Sequence, residues 1–182
     1  SQSGEISNFP VAENVHVNGI LHSTTVPSRL PEAQVETAIQ MADKIADGLA
    51  YVGVMAVEFF LSKEGDILVN EIAPRPHNSG HFTVDACETS QFEQQVRMLC
   101  GLPSGNCELV SPVVMINILG DVWGKSKPHW DSLLTRPENK LHLYGKKEAR
   151  IGRKMGHFNV LAATVEQATN IAHQSFDDLK AD

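Results

Sequence analysis

The sequence is short of cysteine, of aromatic residues and of long apolar runs. Its three cysteines, Cys87, Cys100 and Cys107, are an odd number with no Cys-x-x-Cys spacing. A disulfide framework is therefore not expected, and a reduced, cytoplasmic setting is. No stretch nears the ~18 apolar residues of a membrane-spanning helix, so no membrane role is expected. The start, SQSGEISNFP, is polar and lacks a signal-peptide pattern. Basic residues are outnumbered, with 15 Lys and Arg against 22 Asp and Glu, a net charge of −7. Nucleic-acid binding needs a basic face and is not expected either.

What is present is a chain of 182 residues, 42% hydrophobic and 20% charged. That suffices for one large domain, or one domain and a small companion. Residues 9–26 are rich in Val and Thr around Asn18-Gly19, a strong hairpin signal. Residues 31–49 carry Val35, Ala38, Ile39, Ala42, Ile45, Ala46 and Leu49 at helical spacing. Strands are expected over 52–61 and 67–73, joined by the turn KEGD. A helix is expected over 90–100, closed by Gly101 and Pro103. Phe92, Val96 and Leu99 on that helix read as core, and Cys87 and Cys100 as small buried residues. A strand over 111–119 follows, then a Gly/Trp/Pro-rich stretch over 120–139 with no clear pattern. Strands near 140–145 and 156–163 and a helix over 164–179 complete the chain. Trp123 and Trp130 read as packing residues, and His157 as a structural histidine. The mixed order favours an α+β fold.

The hairpin 52–73 carries the most information. If Lys63 lies opposite Asp66, paired positions sum to 129, and Glu58 then faces Glu71. Alternation adds Val54, Ala56 and Phe60 to the face of Glu58, and Ile67, Val69 and Ala73 to that of Glu71. Two carboxylates in this relation have Cβ atoms ~5 Å apart and repel each other. A shared proton or a bound cation relieves the repulsion. Oxygen ligands of this kind suit Mg²⁺, and Asn70 offers a further oxygen. The rival is a half-exposed sheet with one glutamate in solvent.

Just beyond lies the loop APRPHNSGH. Pro74 and Pro76 stiffen the backbone around Arg75, and His77, Asn78 and His81 follow. Such a loop can hold an anion, or can simply be a solvated surface. A zinc site built from His77, His81 and a carboxylate is a further rival.

The runs VGVMAVEFF, LVNEIAPRPHNSGHFT, TSQFEQQVR, LPSG, VVMINILG and GRKMGH closely resemble the 5-(carboxyamino)imidazole ribonucleotide synthase family. These are ATP-grasp carboxylases of purine biosynthesis, and the resemblance covers nearly the whole chain. It implies a second ATP-grasp subdomain, an antiparallel sheet with flanking helices, followed by a small β-rich C-terminal domain. The division is expected at 1–104 and 105–182.

The implied activity is ATP-dependent carboxylation of 5-aminoimidazole ribonucleotide by bicarbonate, through carboxyphosphate. ATP and Mg²⁺ are the implied cofactors. Glu58 and Glu71 match the metal-binding acids, and Asn70 and Glu71 the nucleotide site. Arg75, His77 and Asn78 match the catalytic loop. Lys146 and Arg153, with Lys147 and Arg150, match the clamp on the substrate phosphate.

Family members are about twice this length and often homodimers. No Gly-x-Gly-x-x-Gly or similar phosphate loop occurs in this sequence. The chain therefore reads as a C-terminal portion, inactive without an N-terminal half. A non-catalytic binding or assembly module is the alternative.

Overall fold

In a computed structural model, which describes residues 1–124 and 126–180, the chain forms two compact units. The first holds Ser1–Val11 and Ser28–Val110; the second holds Ala12–Pro27 and the chain from Ser111 onward. The first hairpin is β1 (Glu13–Val17) and β2 (Ile20–Val26). Its turn residues Asn18 and Gly19 have φ of 52° and 74°, the left-handed pair that a two-residue hairpin demands. Helix α1 (Glu32–Gly48) follows, then β3 (Ala56–Leu61) and β4 (Ile67–Ala73). Next come α2 (Thr83–Ala86), α3 (Gln91–Leu99), β5 (Val113–Leu119) and α4 (Trp130–Leu134). Strands β6 (Asn139–Leu143) and β7 (Lys154–Leu161) and helix α5 (Val165–Leu179) end the chain.

The second unit is built on one antiparallel sheet in the order β1-β2-β5-β7-β6. Strands β5 and β7 lie inside that sheet, and nearly all their residues are buried. Their apolar runs follow from burial on both faces rather than from alternation. Helix α5 starts at Thr164, whose hydroxyl accepts from the Gln167 amide. It buries Ala168, Ala172 and Leu179 against Val114, Ile116, Phe158 and Val160. Trp123 and Trp130 meet edge-to-face at 5.5 Å and pack against this core, as expected. The stretch 120–139 contains a 3₁₀ turn, Gly120–Trp123, besides α4; Lys125 within it lies outside the described residues.

Phe158 is fully buried in the middle of this core. Phe158→Ala is expected to cost about 3–5 kcal/mol in urea unfolding, because the cavity cannot close between two sheet strands. A loss below about 1 kcal/mol would contradict that placement.

The division at 104/105 needs a correction. The hairpin 12–27 belongs with the C-terminal part, because β2 pairs with β5 from Ser23↔Ile116 to Val26↔Val113. Its β-prone sequence announces a hairpin but not which sheet it joins.

Two expectations about α3 and the cysteines are also overturned. Phe92, Val96 and Leu99 are 44%, 58% and 64% exposed, while Gln91, Gln94 and Met98 are buried. The glutamines are satisfied by backbone groups of neighbouring loops, so the polar stripe faces inward. Cys100 is exposed rather than buried. Burial, with Cys107 nearby, pushes the Cys87 thiol up to about 12, whereas Cys100 stands in solvent at the helix end. One thiol, Cys100, is expected to react quickly with a disulfide reagent in the native protein, and the other two only on unfolding. Equal rates for all three would contradict the burial. Among the described residues no helix is long and apolar enough to cross a membrane.

Candidate functional site

Strands β3 and β4 form a two-stranded antiparallel sheet in the first unit. Glu58 lies opposite Glu71, as expected, but by a different route. The Ser62 amide donates to the Asp66 carbonyl at 2.9 Å, so three residues turn the chain rather than the two that Lys63 opposite Asp66 implies. Gly65, with φ of 92°, makes that three-residue turn possible. The register then runs Leu61↔Ile67, Phe60↔Leu68 and Phe59↔Val69. A bulge at Asn70 shifts it, and Glu58↔Glu71, Val57↔Ile72 and Ala56↔Ala73 follow. The two departures cancel at the glutamates. They also correct the faces: Leu68, not Ile67 or Val69, shares the side of Glu58 and Phe60. Bulges commonly sit beside functional sites because they re-aim side chains.

Glu58 is 14% exposed and Glu71 59% exposed at the side chain. His77 completes the group. Its Nδ1 lies 3.6 Å from Glu58 Oε1, and its Nε2 lies 3.9 Å from Glu71 Oε1. One ligand atom from each of the three lies within 4.8 Å of the others, close enough to share a cation. Two opposed carboxylates suit a hard ion such as Mg²⁺, which takes oxygen ligands and relieves their mutual repulsion. The zinc set of His77 with His81 is not assembled. His81 Nδ1 lies 2.9 Å from Gln91 Nε2, and its ring lies 5.4 Å from Phe92.

The segment between β4 and the 3₁₀ turn Asn78–Phe82 is anchored at both ends. Tyr51 donates its hydroxyl to the Pro74 carbonyl at 2.9 Å. At the other end Gln91 grips the backbone of His77. Arg75 stays exposed between them and donates to the Pro76 carbonyl at 3.0 Å. Ser79 Oγ lies 2.9 Å from His77 Nδ1. Asn78 opens the 3₁₀ turn and is half-buried, and Asn70 is exposed at the bulge. Thus Glu58, Glu71 and His77 meet in one cluster; Asn70 and Asn78 adjoin its members in sequence, and Arg75 lies two residues before His77.

Lys146, Lys147, Arg150 and Arg153 belong to the second unit, on the connection between β6 and β7. Lys146 donates Nζ to the Lys154 carbonyl at 2.6 Å and lies 5.5 Å over the Tyr144 ring. Burial raises the Tyr144 hydroxyl to about 12, and it lies 2.9 Å from His157 Nδ1. His157 also stacks on His142 at 4.6 Å, which fits a structural histidine. Arg150 pairs with Glu148, and Arg153 reaches the Glu148 carbonyl at 3.2 Å. The loop is tied down from the 3₁₀ turn at Gly120. Asp121 Oδ2 accepts from the Gly152 amide at 2.7 Å, and the Gly120 amide donates to the Arg153 carbonyl at 2.8 Å.

The ATP-grasp domain family matches residues 1–92, just over half of the chain, and so includes both glutamates and His77. The chain belongs to the ATP-grasp family. Residues 113–171 match the phosphoribosylaminoimidazole carboxylase C-terminal domain. An N5-carboxyaminoimidazole ribonucleotide synthase of Bacillus subtilis is 50% identical over 161 residues, which cover 88% of this chain and 42% of that protein. An ADP complex of purK, an N5-carboxyaminoimidazole ribonucleotide synthetase, superposes with a TM-score of 0.86 at 49% identity. It covers 97% of this chain and 47% of its own. A synthase from Aspergillus clavatus, in complex with ADP and 5-aminoimidazole ribonucleotide, superposes at 0.83 and 34% identity, covering 94% and 47%. The chain thus spans less than half the length of these relatives. The antiparallel sheets with flanking helices agree with the ATP-grasp expectation.

Three residues that hydrogen-bond the backbone around this cluster were not anticipated: Tyr51, Gln91 and Gln95. Gln95 Oε1 accepts from the Val54 amide at 2.6 Å, ahead of β3. That bond holds residues the sequence assigns to the strand itself. The available signal was the polar run Gln91, Gln94 and Gln95 on a helix that needed a buried face.

Proposed function

We propose that this chain is the C-terminal portion of an ATP-dependent carbon–nitrogen ligase. Its reaction is the carboxylation of 5-aminoimidazole ribonucleotide by bicarbonate, with release of ADP and phosphate. The observation that carries this reading is the convergence of Glu58, Glu71 and His77 on one point of an ATP-grasp hairpin. The names of the relatives supply the substrate class.

Glu58 and Glu71 would hold Mg²⁺, which neutralises charge on the ATP phosphates as the γ-phosphoryl moves to a bicarbonate oxygen. Asn70, on the bulge, would face the nucleotide beside Glu71. Arg75, His77 and Asn78 would stabilise the carboxyphosphate formed. The substrate's exocyclic amine then attacks the carboxyl carbon. The carbon–oxygen bond to phosphate breaks, phosphate leaves with the bridging oxygen, and the amine loses a proton. The departing phosphate, a base as it leaves, would take that proton. Lys146 and Arg153, assisted by Lys147 and Arg150, would bind the ribonucleotide phosphate.

The test is ADP release with bicarbonate and 5-aminoimidazole ribonucleotide. The chain grafted onto the remainder of the Bacillus subtilis relative is expected to turn over, and the isolated chain is not. A correctly folded graft without substrate-dependent ADP release would contradict the ligase reading and favour a non-catalytic module. Robust turnover by the isolated chain would contradict its dependence on an N-terminal half.

A further inference from the structure

Gln91 is 3% exposed, yet its side-chain amide is fully engaged. Oε1 accepts from the His77 backbone amide at 2.8 Å, and Nε2 donates to the His77 carbonyl at 2.8 Å. Nε2 also lies 2.9 Å from His81 Nδ1. The glutamine thus treats His77 as a neighbouring strand would, bonding both of its backbone polar groups. Its own backbone is fixed in turn, since the Gln91 amide donates to Thr83 Oγ1 at 3.0 Å. Gly80 leaves the room this requires: a Cβ there would stand 2.6 Å from Gln91 Oε1.

A buried amide of this kind costs stability unless every bond is made, and it fixes one geometry when they are. Here that geometry is the backbone of the residue whose ring meets Glu58 and Glu71. We propose that Gln91 is a positioning residue of the candidate site, holding His77 so that its imidazole faces the glutamate pair. The inference rests on the reading of that pair as the cation site. Gln91 itself touches neither glutamate among the bonds described, and it acts through His77.

Gln94 provides the control. It sits on the same helix, is also buried, and pairs in the same way with Gly105, at 2.8 Å for both bonds. Gln91→Met and Gln94→Met each remove two backbone clamps, but only the first touches His77. The readouts are amide hydrogen exchange at His77 and the broadening of its ring protons by added Mn²⁺. Gln91→Met is expected to speed exchange at His77 by about tenfold or more and to weaken the Mn²⁺ broadening, and Gln94→Met to do neither. Gly80→Ala, which presses a methyl group into the clamp, is expected to follow Gln91→Met. It keeps the comparison available should Gln91→Met fail to fold.

If both glutamine variants move His77 equally, or neither Gln91→Met nor Gly80→Ala moves it, the positioning role is overturned. If Mn²⁺ leaves His77 unbroadened in the unaltered protein, the cation reading fails instead, and the exchange comparison alone decides the role of Gln91.

Discussion

In the proposed full-length ligase, Glu58→Gln and Glu71→Gln are each expected to lower ATP turnover by about 10²–10³-fold or more. The amide keeps the shape and the dipole of the carboxylate but removes the charge that a divalent cation needs. Stability is expected to move the other way. Glu58 and Glu71 stand directly opposite each other, and like charges in that relation destabilise a strand pair. Each variant should therefore unfold at the same temperature as the parent or slightly above it. Inactivity with an undiminished melting temperature is the signature of a site whose charges serve ligand binding. Turnover near the parent level in either variant would remove the metal assignment. A large fall in melting temperature would show that the glutamates hold the fold instead.

Gly120→Ala carries the next largest expected effect. A Cβ there would lie 2.1 Å from the Arg150 carbonyl oxygen and 2.6 Å from its amide nitrogen. Both are backbone atoms, so no side-chain rotation relieves the contact and the 150–153 loop must move. That movement also strains the bonds from Gly120 to Arg153 and from Gly152 to Asp121. Arg150 and Arg153 ride on this loop. A displacement of an ångström at a group that orients substrate costs about 10²-fold in rate. The loss is expected in kcat/KM for the ribonucleotide, with KM for ATP unchanged, because Asn70 and Glu71, the residues proposed to meet the nucleotide, lie in the other unit. Equal losses for both substrates would instead indicate general unfolding, and an unchanged ribonucleotide kcat/KM would contradict the phosphate-clamp reading.

Much of this was legible in the residues themselves. Asn18-Gly19 announces its turn because few other pairs take two left-handed conformations in succession. Strand β4 and helices α1 and α5 fall within a residue or two of the bounds their periodicity sets. The glutamate pairing was legible too, although through an assumed register that the bulge at Asn70 had to repair. A bulge leaves no mark in an alternating pattern until the partner strand is known.

Helix α3 shows where pattern reading stops. Phe92, Val96 and Leu99 have the spacing of a buried stripe, but the burial goes to glutamines whose partners are loop backbones. Hydropathy has no means to register that a side-chain amide can stand in for a strand. The hairpin 12–27 shows a second limit. Its local structure is set locally, but its partner β5 lies about ninety residues away, and only the sheet decides the match. The basic run 146–153 is likewise visible as charge, while its anchoring by Gly120 and Asp121 depends on an approach of backbones.

The most direct test of the proposed chemistry follows oxygen. Phosphorylation of bicarbonate places one of its oxygens in the bridge to phosphorus, and carboxyl transfer leaves that oxygen on the departing phosphate. With ¹⁸O-labelled bicarbonate, ATP, Mg²⁺ and 5-aminoimidazole ribonucleotide, the full-length ligase is expected to release phosphate carrying one ¹⁸O for each ADP formed. Unlabelled phosphate at the same rate of ADP release would contradict it.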